Sequence, residues 1–250
     1  MTIYLTGDNH GMYDIDKIDT DAWEQRDWRP TEDDYLIVLG DIGCIYHTQP
    51  WDWPEIDRRD QEVIDVFSSQ PWTVLFVDGN HENHDTLNDI DIEKWNGGFV
   101  HKITPKLIHL MRGQVYEIDG MRFFTMGGAH SPDWEYRAEG TGWWPAEMPS
   151  EEEYEEALSN LYKNDDSVNI ILSHTCPTDF LGEILDSEEF AQPDELTDFF
   201  QEIYDEIDFD KWLFAHFHEE LFSFSDSRMC CLFGSLVELD TETMEVEVVD

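Results

Sequence analysis

Five short segments of this chain carry side chains with the chemistry of metal ligands. Asp8 and His10 stand two apart, Asp41 follows Gly40, Asn80 and His81 follow Gly79, His174 follows Ser173, and His216 and His218 again stand two apart. Carboxylate, imidazole and carboxamide oxygen together suit borderline divalent ions such as Mn, Fe, Co, Ni or Zn, with no thiolate needed. At the end of an extended strand, residues two apart point to the same side, so each pair can meet one ion. One carboxylate bridging two ions would hold them about 3.5–4 Å apart, the spacing of two-metal phosphatases and nucleases. A single pair says little in so acidic a chain, as the chance neighbours His84 and Asp85 show. The weight rests on the order of all five, each closing an apolar run.

Those runs are the elements that must position the ligands. Ile3–Thr6, Tyr35–Leu39, Thr73–Val77, Val168–Leu172 and Trp212–Phe214 are short and apolar and lead into the ligand-bearing turns, so they read as buried strands. Helical patterns are expected at Arg58–Ser69, Ser150–Tyr162 and Glu195–Ile207, the second opened by a capping box from Ser150 to Glu153. Val115–Ile118 and Met121–Met126 flank Asp119-Gly120, which favours a type I′ hairpin turn. A second hairpin is expected over Gly234–Leu239 and Met244–Val249. Helices between early strands and hairpins later point to a layered α/β sandwich. The irregular, aromatic stretch 129–149 reads as a flap over the site. No repeat or linker divides the chain, so residues 1–250 are expected to form a single domain.

The chain holds 58 Asp and Glu against 14 Lys and Arg, a formal charge of −44. Aromatics at 14%, ten of them Trp, are too many for an acidic disordered chain, so a buried core is expected. Nucleic-acid partners need basic stripes that release counterions, and none is present. Acids spread along the whole sequence fit either a salt-rich host, where self-repulsion is screened, or simply an acidic bacterial or phage protein. Neither a signal peptide nor a membrane span is evident, so a cytoplasmic location is expected. Cys44, Cys176, Cys230 and Cys231 lack metal-knuckle spacing, and adjacent Cys230 and Cys231 should face opposite sides of a strand.

The five motifs, in the order D-x-H, GD, GNH, SH and HxH, resemble the calcineurin-like metallophosphoesterase superfamily from Asp8 to His218. Runs such as GNHENHDTLND, HLMRGQVYEIDG and SHTCPT resemble its bacterial and phage metallophosphoesterases. The resemblance implies a four-layer αββα sandwich and two divalent metal ions. It places Asp8, His10, Asp41 and His218 on the first ion, and Asn80, His174 and His216 on the second, with Asp41 bridging. It implies that a hydroxide shared by the ions attacks phosphorus directly, with His81 protonating the leaving group or steadying the transition state. Two departures stand out. Cys44 occupies the position of a further acid in the protein-phosphatase signature, which removes one residue that could orient His81. The last motif reads Ala215-His216-Phe217-His218 where the family has Gly first; Ala fits there unless φ must be positive.

Arg137 is a candidate phosphate clamp, with a salt bridge to a neighbouring acid as its alternative; Arg112 presents the same choice. Trp143 and Trp144 could stack on a base or anchor the flap. His47, His84, His101, His109 and His130 show no ligand spacing, although His130 opens the flap. The function expected is a phosphomonoesterase or phosphodiesterase acting on a small ester, nucleotide-like if Trp143 and Trp144 stack. The alternatives are a nuclease, which shares the chemistry but wants a basic groove, and a non-catalytic module on the same scaffold.

Overall fold

The apolar runs become strands because β-branched and aromatic side chains alternate faces and so fill two cores at once. In the computed structural model, which describes residues 1–18, 29–185 and 192–249, β1 (Ile3–Thr6), β2 (Tyr35–Leu39) and β3 (Thr73–Val77) pair in parallel. An antiparallel extension of β4 (Ile92–Trp95), β5 (Gly98–Thr104) and β6 (Leu107–Leu110) joins β3 through β6. The hairpin of β7 (Gln114–Ile118) and β8 (Met121–Met126) forms as expected, with φ of 53° at Asp119 and 75° at Gly120. β8 then pairs with β9 (Ile170–Ser173), β9 with β10 (Lys211–Phe214) and β10 with β11 (Met229–Cys231), all in parallel. The closing hairpin, β12 (Val237–Leu239) and β13 (Val246–Val248), returns to pair with β1. The result is an eight-stranded sheet, β13-β12-β1-β2-β3-β6-β5-β4, and a five-stranded sheet, β11-β10-β9-β8-β7.

Alternation sorts each strand between two cores. Ile3, Leu5, Ile37 and Leu39 of the larger sheet meet Phe123, Ile170, Leu172 and Leu213 of the smaller one in the central core. On the outer face of the larger sheet, Leu36, Val38, Val74 and Phe76 pack against Val63, Ile64 and Phe67 of helix α1 (Arg58–Ser69). The short helix α2 (His84–Leu87) follows the third ligand turn. Outside the smaller sheet, Phe124, Ile171, Trp212 and Phe214 pack on helices α3 (Glu151–Lys163) and α5 (Glu195–Glu206), with the single turn α4 (Leu181–Ile184) beside them. Helix, sheet, sheet, helix is the four-layer αββα order expected.

The Ser150–Glu153 capping box opens α3, and a second, Asp194 with Thr197, opens α5. Cys230 lies in the central core and Cys231 in the outer one, so adjacent thiols do face opposite ways. All four cysteines are buried and free. No helix among the described residues is long and apolar enough to cross a membrane.

Candidate metal centre

In a parallel sheet every strand ends at the same edge, and crevices at that edge are where α/β proteins place ligands. The turns after β1, β2 and β3 on one sheet, and after β9 and β10 on the other, therefore open on one rim. There the side chains meet in two overlapping groups. In the first, His10 Nε2 lies 2.9 Å from His218 Nε2 and 3.9 Å from Asp41 Oδ2, while His218 Nε2 lies 3.7 Å from Asp8 Oδ1. In the second, His174 Nε2 lies 3.6 Å from Asp41 Oδ1 and 3.3 Å from Asn80 Oδ1, and His216 Nδ1 lies 3.1 Å from that same amide oxygen. Asp8 and Asp41 both approach His174, at 3.9 and 3.6 Å.

The convergence does not come from strand alternation, as the sequence reading had it. Asp8, His10, Asp41, His216 and His218 adopt positive φ of 33°, 47°, 51°, 75° and 53°. These are left-handed conformations that cost L residues energy and persist where surrounding structure holds them. Paired left-handed residues curl each turn so that both side chains of a D-x-H or H-x-H pair fold inward. The positive φ falls on the histidines and not on Ala215, so alanine is accommodated at that position. Gly40 and Gly79 are needed for space: a Cβ on the first would strike the His174 ring, and on the second the Asp41 carboxylate.

Main-chain hydrogen bonds aim the ligands. His174 donates from Nδ1 to the Leu39 carbonyl at 2.6 Å, leaving Nε2 to face the centre. The His216 amide donates to Asp8 Oδ2 at 2.9 Å, and the His81 amide to Asp41 Oδ1 at 2.7 Å. Burial raises the Asp8 carboxyl well above its ordinary range, against the pull of His174. Burial acts in the same direction on Asp41, yet His174 and its neighbouring histidines hold it far below that range. His174 is raised by the two carboxylates in spite of burial, whereas burial lowers His10 to about 4 and His216 to about 3.

These residues fit divalent cations. Asp8 Oδ1 is buried and has no hydrogen-bond partner in the protein, an expensive arrangement unless a cation meets it. Lys17 approaches Asp8, but its ammonium donates to the main-chain carbonyls of Gly7, Asp8 and Phe233. Both groups, Asp8–His10–His218 and Asp8–Asp41–His174, present oxygen and nitrogen donors within 4.8 Å of one another.

Of residues 129–149, His130, Pro132, Asp133 and Arg137 line the cavity at this rim. Arg137 forms a salt bridge to Asp133 at 2.8 Å, as its alternative reading had it, and also donates from Nη1 to His81 Nδ1 at 3.1 Å. That contact puts the His81 ring proton on Nε2, and burial, followed by Arg137, lowers its pKa against the pull of Asp41. An arginine thus orients His81 where the Cys44 departure had removed an acid; Cys44 itself is buried in the outer core. Trp144 is buried and packs edge-on against Tyr46, so it anchors the loop, while Trp143 packs against Trp134. A cavity of about 760 Å³ lies beneath, lined by Asn80, His81, His130, Arg137, His216 and His218 among others. His130 thus faces the site without joining either donor group. Sequence reasoning missed Glu82, whose buried carboxylate accepts from the Gly79 amide at 2.6 Å, and the flap residues Ser131 and Glu147. Glu82 directly follows the GNH motif and was the one visible signal.

A family model described as calcineurin-like phosphoesterase matches residues 1–220. No curated protein sequence matches the chain. Among solved structures, similarity is found to a protein assigned as a 5′-nucleotidase from Staphylococcus aureus, crystallised with α-ketoglutarate, at 13% identity and a TM-score of 0.49. That match covers 100% of this chain but 52% of the other, so this chain spans about half its length. A phosphopantetheinyl hydrolase from Mycobacterium tuberculosis matches at 13% identity and a TM-score of 0.47, covering 93% of this chain and 90% of that one.

Proposed function

The chain belongs to the calcineurin-like phosphoesterase family, and from that premise we propose that it hydrolyses a small phosphomonoester or phosphodiester with two divalent cations, as one domain acting in the cytoplasm. Asp8, His10, Asp41 and His218 would hold one ion, and Asn80, His174 and His216, together with Asp41, a second. The observation that carries the reading is the partnerless buried Asp8 oxygen in a ring of inward-facing imidazoles.

When bound, such ions supply water activation and offset charge developing on the phosphoryl oxygens. The protein does the rest. The left-handed turns fix the donors before substrate arrives, so little reorganisation remains. His81, its proton on Nε2, is a hydrogen-bond donor to the leaving oxygen or a phosphoryl oxygen. Arg137 holds that ring and lines the cavity beside it, and the flap limits water. No side chain needs to become phosphorylated, so displacement is single and configuration at phosphorus inverts.

One observation favours a flat organic group on the ester. A second cavity, of about 420 Å³, shares His10 and His81 with the site and is walled by Met12, Tyr13, Tyr46 and His47. Its size suits a nucleoside-sized group, and aromatic faces are suited to stacking on one. The formal charge of −44 sets the protein against long nucleic acid.

The test is metal-stripped protein reloaded with Mn, Fe, Co, Ni or Zn and assayed on p-nitrophenyl phosphate, bis-p-nitrophenyl phosphate, 2′,3′-cyclic nucleotides, DNA and RNA, with His81→Asn as control. Metal-dependent turnover lost in the variant is expected. Absence of turnover with every metal would leave a binding module, turnover confined to DNA or RNA a nuclease, and retention in a chiral-phosphate assay would overturn direct displacement.

A further inference from the structure

The amide of Asn80 has an ambiguity that carboxylate and imidazole ligands lack: only one of its ends can bind a cation. A half-turn of the carboxamide would present an NH2 group to the ion and abolish that bond. The residues behind it decide which end faces in. Asn80 Nδ2 lies 3.1 Å from Ser131 Oγ, and Ser131 Oγ lies 2.7 Å from Glu147 Oε2, with all three residues buried. The Ser131 main-chain amide donates to the other Glu147 oxygen at 2.6 Å. Both Glu147 oxygens accept from Ser131, one from its main-chain amide and one from its hydroxyl, so the hydroxyl donates toward Glu147. The hydroxyl oxygen is then left as an acceptor, which only the NH2 end of Asn80 satisfies. Arg112 fixes the far end of this relay. Its Nη2 donates to the Ala146 and Glu147 carbonyls at 3.0 and 3.1 Å, and to Asp78, two residues before Asn80, at 2.6 Å.

We propose that Ser131 and Glu147 are positioning residues for the second metal site: the direction of their hydrogen bonds locks Asn80 with Oδ1 toward the cation. The relay rests on the two-metal reading above. Because both residues belong to the 129–149 stretch, Asn80 is locked only when that stretch is seated, whereas among the described residues no ligand of the first site is hydrogen-bonded to it.

Calorimetric titration of metal-free protein with Mn2+, without substrate, separates the possibilities. The wild type is expected to show two sites. Ser131→Ala and Glu147→Gln should weaken the second by about 10–100-fold, the usual effect of losing a group that orients a ligand, and leave the first unchanged. Ser131→Thr, which keeps the hydroxyl, should restore it. Glu147→Gln keeps the side-chain volume and serves if Ser131→Ala does not fold, while unchanged first-site affinity shows that a variant is folded. Two sites with unaltered affinities in both variants would overturn the relay and leave the two-metal reading intact. Fewer than two sites in the wild type would overturn that reading itself.

Discussion

Among the described residues, two clusters of histidine and aspartate lie at the ends of neighbouring strands, one opening on the rim and the other buried, and they are resolved in opposite ways. At the rim, Asp8 and Asp41 face His10, His174, His216 and His218, and among the described residues no arginine pairs with either carboxylate. Beside it, Asp78 is bound by Arg112 through Nε at 2.9 Å and Nη2 at 2.6 Å. His109 donates to its other oxygen at 3.1 Å, and His101 Nδ1 lies 3.0 Å from His109 Nδ1, so the hydrogen bonds run in file. The second cluster contains its own cation and is closed. The first has no guanidinium on its carboxylates among the described residues and opens on the rim cavity. Histidine and aspartate in proximity do not identify a metal site; the guanidinium tells the two apart.

Substituting the closed cluster should cost most in stability. Arg112→Met leaves Asp78 buried without its cation, and breaking such a pair costs about 3–5 kcal/mol, measurable by urea unfolding of the metal-free protein. A loss under 1 kcal/mol would mean that the neighbouring histidines neutralise Asp78 unaided and that the contrast is weaker than drawn.

The open cluster should respond to metal instead. Mn2+ at a hundredfold excess over its dissociation constant should stabilise the wild type by about 2.7 kcal/mol. Asp41→Asn should remove most of that gain and lower turnover by about a thousandfold, the upper range for losing a principal electrostatic contact. A variant still fully stabilised by metal would show that Asp41 bridges nothing.

The smallest effect is on the pH profile. His84 and His101, both lowered to about 3 by burial, stay neutral when folded but take up protons when unfolded. The unfolded state then binds more protons between about pH 6.5 and pH 3, so stability falls as pH falls through that window. His101→Phe removes one of these groups and should flatten the slope there. An unchanged slope would locate the acid sensitivity elsewhere.

The fold was legible where one signal dominated. Strands ending at Gly and helices of regular period lie where the sequence puts them, as does the Ser150 cap. Strands β4, β5 and β6 were not: β4 is largely exposed and carries no alternation, and β5 and β6 close no Gly-ended apolar run and take their place by pairing with β3 and each other. The ligand residues were readable from their types and order, but their means of convergence was not: nothing in D-x-H shows that both residues turn left-handed. Pairings between distant residues, Arg112 with Asp78 or Ser131 with Asn80, leave no local trace. For Arg137 the salt bridge was foreseen and the contact with His81 was not, because the flap's path is set by tertiary packing around Trp144.

The site draws on both halves of the sandwich: Asp8, Asp41 and Asn80 hang from the larger sheet, His174 and His216 from the smaller. In the loaded protein the ions would be rivets across that seam. Prying the halves apart and releasing the ions then become a single event, so the breathing of the seam would set how long the ions stay.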